Sequence, residues 1–158
     1  MRAFFMELRM IELRFESRLN APPNAVWHWI TDVRCLRAEM RPWMWMSVPR
    51  GMRNLADTDL HTGQVLFTSW LWLFGVLPIG TSRLTLLELE QGVGFVEQSP
   101  MTGMHLWRHE RQLQACGEGT RLVDRLTVRP LLATALVKRF LQLFFATRHR
   151  NLRRRQTY

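Results

Sequence analysis

A chain of 158 residues that is 47% apolar and 22% charged has the composition of a globular protein, and its length suits one domain spanning 1–158. Its longest apolar stretch, Ser69 to Gly80, falls short of the roughly 20 residues a bilayer crossing needs. The N-terminus lacks a signal-peptide pattern, so secretion is not expected and the cytoplasm is the default location. The net charge of +9 would point to nucleic acid or an anionic membrane if it were spread over the surface. Seven of the 22 basic residues and none of the 13 acidic ones lie in 131–158, however, so the preceding body carries only +2. Cys35 and Cys116 have no CxxC spacing and read as free thiols in a reducing compartment.

In chain order, residues 1–9 read as a bulged extension or a loosely attached terminus, because Met6, Leu8 and Met10 are out of phase with the alternation that begins at Ile11. From Ile11 to Leu19 that pattern places Ile11, Leu13, Phe15, Ser17 and Leu19 on one face and charged residues on the other, which predicts a half-buried strand. Asn20-Ala-Pro-Pro opens a helix, since proline is tolerated in a first turn, with Val26, Trp27, Trp29, Ile30 and Val33 buried. A second short helix, about Val33 to Met40, comes after Asp32. The run Trp43 to Met46 reads as a short strand or as an apolar lid, methionine being adaptable in irregular spaces. Residues 50–62 are polar and loop-like. Gln64 to Phe74 predicts a strand apolar on both faces, one of which something other than solvent must cover; a homodimer contact is one candidate. Pro78 and Gly80 interrupt, and strands at Arg83 to Glu90 and Gly94 to Gln98 flank a turn at Gln91-Gly92.

Trp107 to Pro130 is predicted to be a hairpin turning at Gly117-Glu118. The expected register sets Leu113 opposite Leu122, Arg111 opposite Asp124, His109 opposite Leu126 and Trp107 opposite Val128, with Glu110 opposite Arg125 on the outer face. A slip of one residue would turn a whole strand over, so agreement on both faces supports this pairing. The result is unusual: His109, Arg111 and Asp124 share an otherwise apolar face. A long helix is predicted over 131–154, with Ala133, Leu136, Val137, Phe140, Leu143 and Phe144 on the apolar arc and Lys138, Gln142, His149 and Arg153 opposite. The expected fold class is α+β: a curved antiparallel sheet of six or seven strands wrapped around the long C-terminal helix, with two short helices after the first strand.

Several of these segments together resemble the START/Bet v 1-like, or SRPBCC, superfamily, and within it the polyketide-cyclase-like and ligand-binding bacterial members. The resemblance covers roughly residues 11 to 153. It rests on Phe15 to Trp27 (F-x-x-x-L-N-A-P-x-x-x-V-W), on Thr31-Asp32, and on Phe95 and Glu97 where relatives usually show F-x-D. The W-x-H of Trp107 and His109, Gly119 to Asp124 (G-T-x-L-x-D), Pro130, and Phe145 with Arg148 (F-x-x-R) complete it. It implies a helix-grip fold enclosing a cavity for a hydrophobic small molecule. Relatives commonly carry a second His where Arg111 stands and an aromatic where Val128 stands, so chemistry that depends on either is not expected here.

For function, the sequence supports binding of a hydrophobic or amphipathic small molecule, lipid-like or polyketide-like, without an enzymatic step. The expected binding residues are Trp107, His109, Arg111, Leu113, Asp124, Leu126, Val128, Phe140 and Phe144. The Arg111 and Asp124 pair reads either as an ion pair that specifies sheet register or as a ligand anchor, in which Arg111 binds a carboxylate or phenolate of the ligand and Asp124 orients the guanidinium. The alternative from another class is a cyclase- or dehydratase-like enzyme with His109 as acid or base; no nucleophile partnered with a base is evident, and no catalytic residue is assigned. No cofactor and no metal are expected: His105 and His109 share a strand face about 13 Å apart, too far for one ion. Gly92 to Glu97 superficially matches an RNA-recognition signature but lacks its stacking aromatics, so no nucleic acid is expected. A third reading is an interaction module acting through the aromatic strand or the basic tail, whose arginines could meet an anionic membrane. The bland counterpart is a docked helix with a solvated end.

Overall fold

The structure is a computed structural model that describes residues 9–56 and 62–155. The proposed extension at 1–9, apart from Arg9, and part of the polar loop at 50–62 lie outside the described residues.

The elements are β1 (Ile11–Leu19), α1 (Pro23–Thr31), α2 (Val33–Met40), β2 (Met44–Met46), β3 (Val65–Leu73), β4 (Leu77–Glu90), β5 (Gly94–Gln98), β6 (Met104–Cys116), β7 (Gly119–Pro130) and α3 (Thr134–Arg155). The seven strands form one sheet in the order β1-β7-β6-β5-β4-β3-β2, each neighbouring pair antiparallel. α3 packs against β1, β7 and α2. This is the helix-grip α+β arrangement, and it buries one face of the sheet and one face of α3 at once.

Local chemistry accounts for most boundaries. Pro22 caps α1 and Pro23 takes its first turn, where a missing N–H costs nothing. Asp32 caps α2 by accepting a hydrogen bond from the Cys35 amide at 3.0 Å. The β6–β7 hairpin has the expected register throughout, with Arg111 opposite Asp124 and Glu110 opposite Arg125. On the outer face Glu110 nevertheless pairs its carboxylate with Arg108, two residues along its own strand, at 3.0 Å. The run Trp43 to Met46 contains β2, which pairs with β3 and turns Met44 and Met46 toward the interior.

Three expectations need correction. The stretch around Pro78 and Gly80 does not interrupt: β4 begins at Leu77 and pairs through both residues with β3. Its other flank has no β5 partner before Leu86, so proline and glycine sit where the ladder is one-sided. α3 starts at Thr134 rather than Leu131, because Ala133 adopts a left-handed φ of 55° and leaves Leu131 and Leu132 outside the helix. The buried face of α3 also differs from the expected arc. Leu141, Phe144, Phe145, Thr147, Arg148, His149 and Leu152 are buried, whereas Leu136 and Leu143 are exposed and His149 is not on the wet side. The true face is turned by about one residue, roughly 100°, from the predicted one.

The interior has two apolar clusters. One joins Ile11, Leu36, Met40, Trp107, Leu126, Val128, Leu141, Phe144 and Phe145; the other joins Leu19, Val26, Trp27, Ile30, Leu113, Leu122 and Leu152. β1, β6, β7 and α3 contribute to both. Each of these four elements places polar residues between its two apolar contributions: Ser17 on β1, His109 and Arg111 on β6, Asp124 on β7, and Arg148 with His149 on α3.

Candidate functional site

The polar layer between the clusters is a connected network. Arg111, without exposed surface, forms a two-pronged pair with Asp124, Nε to Oδ1 at 2.7 Å and Nη2 to Oδ2 at 2.9 Å. It forms a second with Glu39 of α2, Nη2 to Oε1 at 2.6 Å and Nη1 to Oε2 at 3.2 Å. Arg148 donates its Nε to Glu39 Oε1 at 2.9 Å. Asp124 also receives His109 Nε2 at 2.8 Å on Oδ1 and His149 Nε2 at 2.7 Å on Oδ2. Four donors fill the four lone-pair directions of its carboxylate, which leaves Asp124 nothing to offer a ligand. Arg111 likewise has four of its five N–H groups engaged.

The network continues to the rim of the fold. Ser17 Oγ lies 2.6 Å from His149 Nδ1 and accepts from Arg153 Nη1 at 2.8 Å. Since Arg153 donates to it, Ser17 can direct its own hydrogen to Nδ1, which makes His149 the tautomer with its proton on Nε2, aimed at Asp124. Ser17, His149 and Asp124 therefore form a chain of the composition used by hydrolases. The ring is reversed relative to that machinery, with serine on Nδ1, and Ser17 is buried away from the cavity beside the network. No substrate carbonyl can reach its hydroxyl.

That cavity, of about 610 Å³, lies between the sheet, α2 and the first turns of α3. Its walls are mostly apolar, including Met40, Met46, Leu71, Leu84, Leu86, Trp107 and Phe140. Ile79 and Leu136 line it and are also exposed, so it opens to solvent between the start of β4 and the start of α3. Its polar lining includes Glu97, His109, Arg111 and Arg148. Of the residues expected to bind a ligand, the structure brings Trp107, His109, Arg111, Phe140 and Phe144 to this cavity. Leu113, Asp124, Leu126 and Val128 do not line it: Leu126 and Val128 pack beneath it in one cluster, Leu113 lies in the other, and Asp124 stands behind Arg111 and His109.

His109 is the titratable group best placed for chemistry. Phe95 and Phe145 hold its ring edge-to-face at 5.7 and 5.2 Å, Asp124 binds Nε2, and Nδ1 stands 3.8 Å from Glu97 Oε2. Glu97 is in turn held by the Ser99 hydroxyl at 2.9 Å. Burial works against the imidazolium, but the Asp124 carboxylate, its hydrogen bond to Nε2 and the nearby Glu97 carboxylate outweigh it, so the His109 pKa is raised. Burial would likewise raise Asp124 and Glu39, yet Arg111, with His109 for Asp124 and Arg148 for Glu39, holds both carboxyls below their usual range, Asp124 well below it.

These directions set a stability profile. His109, with an ordinary value of 6.5, contributes fully below that pH and loses its contribution as pH rises through its higher folded pKa. Asp124 and Glu39, ordinarily 3.8 and 4.5, contribute fully above those values and lose it as pH falls through their lower folded ones. Unfolding free energy measured by denaturant titration is therefore expected to peak at about pH 5 to 6.5. The alkaline decline should flatten in His109→Gln while the acid decline stays. A profile that is flat through pH 8 in the unsubstituted protein would contradict this assignment.

Sequence reasoning missed four members of the network: Glu39, Arg148, His149 and Ser17 as a polar link. Glu39 was detectable three positions after Leu36 and beside Met40, both on the buried side of α2. His149 follows Leu141 and Phe145 at intervals of four, a periodicity that points inward once the wheel is centred on Leu141.

A family model described as a domain of unknown function, DUF8410, matches residues 17–156. The chain belongs to that family. No curated protein matches it. Solved structures with the same fold include protein CV1439 from Chromobacterium violaceum, at a TM-score of 0.69 and 16% identity, over 89% of this chain and 93% of that one. Ara h 8.0201 is similar at 0.64 and 9% identity, over 94% and 98%. A START superfamily protein from Mycobacterium smegmatis is similar at 0.61 and 12%, over 94% and 97%. The fold of this DUF8410 member is thus the START/Bet v 1-like helix grip expected from its motifs, with the matched segment spanning the cavity and the whole buried network. Among the described residues no helix is long and apolar enough to cross a membrane.

Proposed function

We propose that the protein binds a hydrophobic or amphipathic small molecule in the cavity between the sheet and α3. The observation that carries this reading is the cavity itself: about 610 Å³, walled mostly by apolar side chains, open to solvent and furnished with a few polar groups. A chain that needed only a core would gain by filling such a space, since each unfilled methylene-sized void costs stability. The START and Bet v 1-like neighbours support the same reading at the level of fold. Trp107, His109, Arg111, Phe140 and Phe144 are the expected residues that meet the ligand.

The test uses N-phenyl-1-naphthylamine, a neutral apolar dye that brightens on leaving water. Saturable binding of about one dye per chain is expected. In Leu84→Trp, where the indole fills the cavity from β4, affinity should fall about tenfold or more. Absence of saturable binding, or unchanged affinity in a Leu84→Trp protein that folds normally, would sink the reading.

A second reading is acid–base chemistry by His109 on a bound polyketide-like substrate. The position of Nδ1 favours it: no hydrogen bond closer than the 3.8 Å approach of Glu97 occupies that nitrogen, so it can hand a proton to a ligand oxygen. Turnover that disappears in His109→Gln while dye binding persists would support catalysis, and a ligand recovered unchanged would favour carriage alone.

A further inference from the structure

The two arginines that meet on Glu39, Arg111 and Arg148, differ in what they have left to give. Arg111 spends its guanidinium on Asp124 and Glu39. Arg148 is 6% exposed and spends only its Nε, on Glu39. Neither of its Nη nitrogens makes a hydrogen bond among the described residues. They are not sealed off either: the only buried side-chain nitrogen or oxygen there without a partner and shut away from solvent is Arg129 Nε. Arg148 lines the cavity. Its guanidinium carbon stands 4.9 Å from the Phe145 ring centroid and 5.5 Å from that of Phe144, so two rings and one carboxylate fix the orientation of the group before any ligand arrives.

The charge around it limits what can bind there. Three carboxylates, Glu39, Asp124 and Glu97, face Arg111, Arg148 and His109, a balanced set when the imidazole is protonated. Any anionic head adds negative charge to this balanced set, and a head carrying two charges would add twice as much beside Glu39 in a poorly hydrated site. A single planar carboxylate presents two oxygens to the two Nη groups.

We propose that the ligand is an aliphatic monocarboxylic acid whose carboxylate is gripped by the Nη1 and Nη2 edge of Arg148 while its chain lies along the apolar walls toward Ile79 and Leu136. This rests on the binding function proposed above and adds the class of ligand and the residue that selects it. Arg111 is then the positioning residue that holds Glu39, and Glu39 aims Arg148.

The experiment is displacement of N-phenyl-1-naphthylamine by dodecanoic acid, methyl dodecanoate and 1-dodecanol at one pH. The acid is expected to bind about tenfold or more tightly than the ester or the alcohol. In Arg148→Met, which keeps the stem and leaves Glu39 its pair with Arg111, that preference should vanish while the ester and alcohol bind as before. Arg148→Lys should keep part of the preference and serves where the methionine variant fails to fold. Equal binding of all three compounds, or a preference that survives Arg148→Met in a folded protein, overturns this assignment and leaves the cavity's binding function standing. Failure of the dye itself to bind is the different outcome that removes the binding function.

Discussion

Asp124→Ala is expected to lower the unfolding free energy by about 3–5 kcal/mol, because it removes one carboxylate from under three donor groups at a fully buried position. Arg111 would keep its charge with only Glu39 to meet it, and Glu39 is already shared with Arg148. The two imidazoles would lose their acceptor as well. The effect concerns the imbalance and not the intrinsic worth of the ion pairs, since a buried pair is seldom a net source of stability. Replacing Asp124, Arg111, Glu39 and Arg148 together with apolar residues of similar volume, which removes two charges of each sign, should therefore cost less than the single change. Urea unfolding midpoints at pH 6, with the slope compared between variants, measure both. A loss under about 1 kcal/mol in Asp124→Ala would mean that water enters the network freely.

Phe145→Ala is the second large effect, also about 3–5 kcal/mol. The ring is fully buried, stacks on Phe15 at 5.3 Å, meets His109 at 5.2 Å and Phe144 at 5.5 Å edge-on, and carries the Arg148 guanidinium over its face. Its removal opens a void next to charged groups that depend on being dry. Two results are expected together: a lower unfolding midpoint, and a His109 pKa moved back toward 6.5 as water screens Asp124, read by the proton resonances of the imidazole. Phe145→Leu should lose less on both counts. A midpoint shift without any change at His109 would show that Phe145 packs the helix and does nothing for the network.

Much of the fold was legible because it rests on local rules. Alternation of period two located β1 and the β6–β7 hairpin, including the pairing of Arg111 with Asp124, because a register error there would have placed charges in the core. Proline at Pro22 and Pro23 and the cap at Asp32 marked the two short helices. α3 was located and its face misread: the early arc of Leu136, Phe140 and Leu143 is as apolar as the buried one, and its first turns border an opening while its last turns meet the sheet. Periodicity reports an apolar stripe averaged over a helix, and this helix changes neighbours along its length. The methionine-rich run could not be settled as strand or lid from composition, since β2 is a strand whose methionines also close the cavity.

The sequence by itself determined the helix-grip order of elements, the hairpin register and the presence of buried charge at His109, Arg111 and Asp124, since each follows from neighbours on one strand or its partner. Only the tertiary structure decided how that charge is shared. Glu39 and Arg148 are 109 residues apart and meet on one oxygen, and Ser17 and His149 are 132 apart. Which arginine keeps free donors depends on packing among α2, β6, β7 and α3, and a pattern of alternation along one strand carries no record of it.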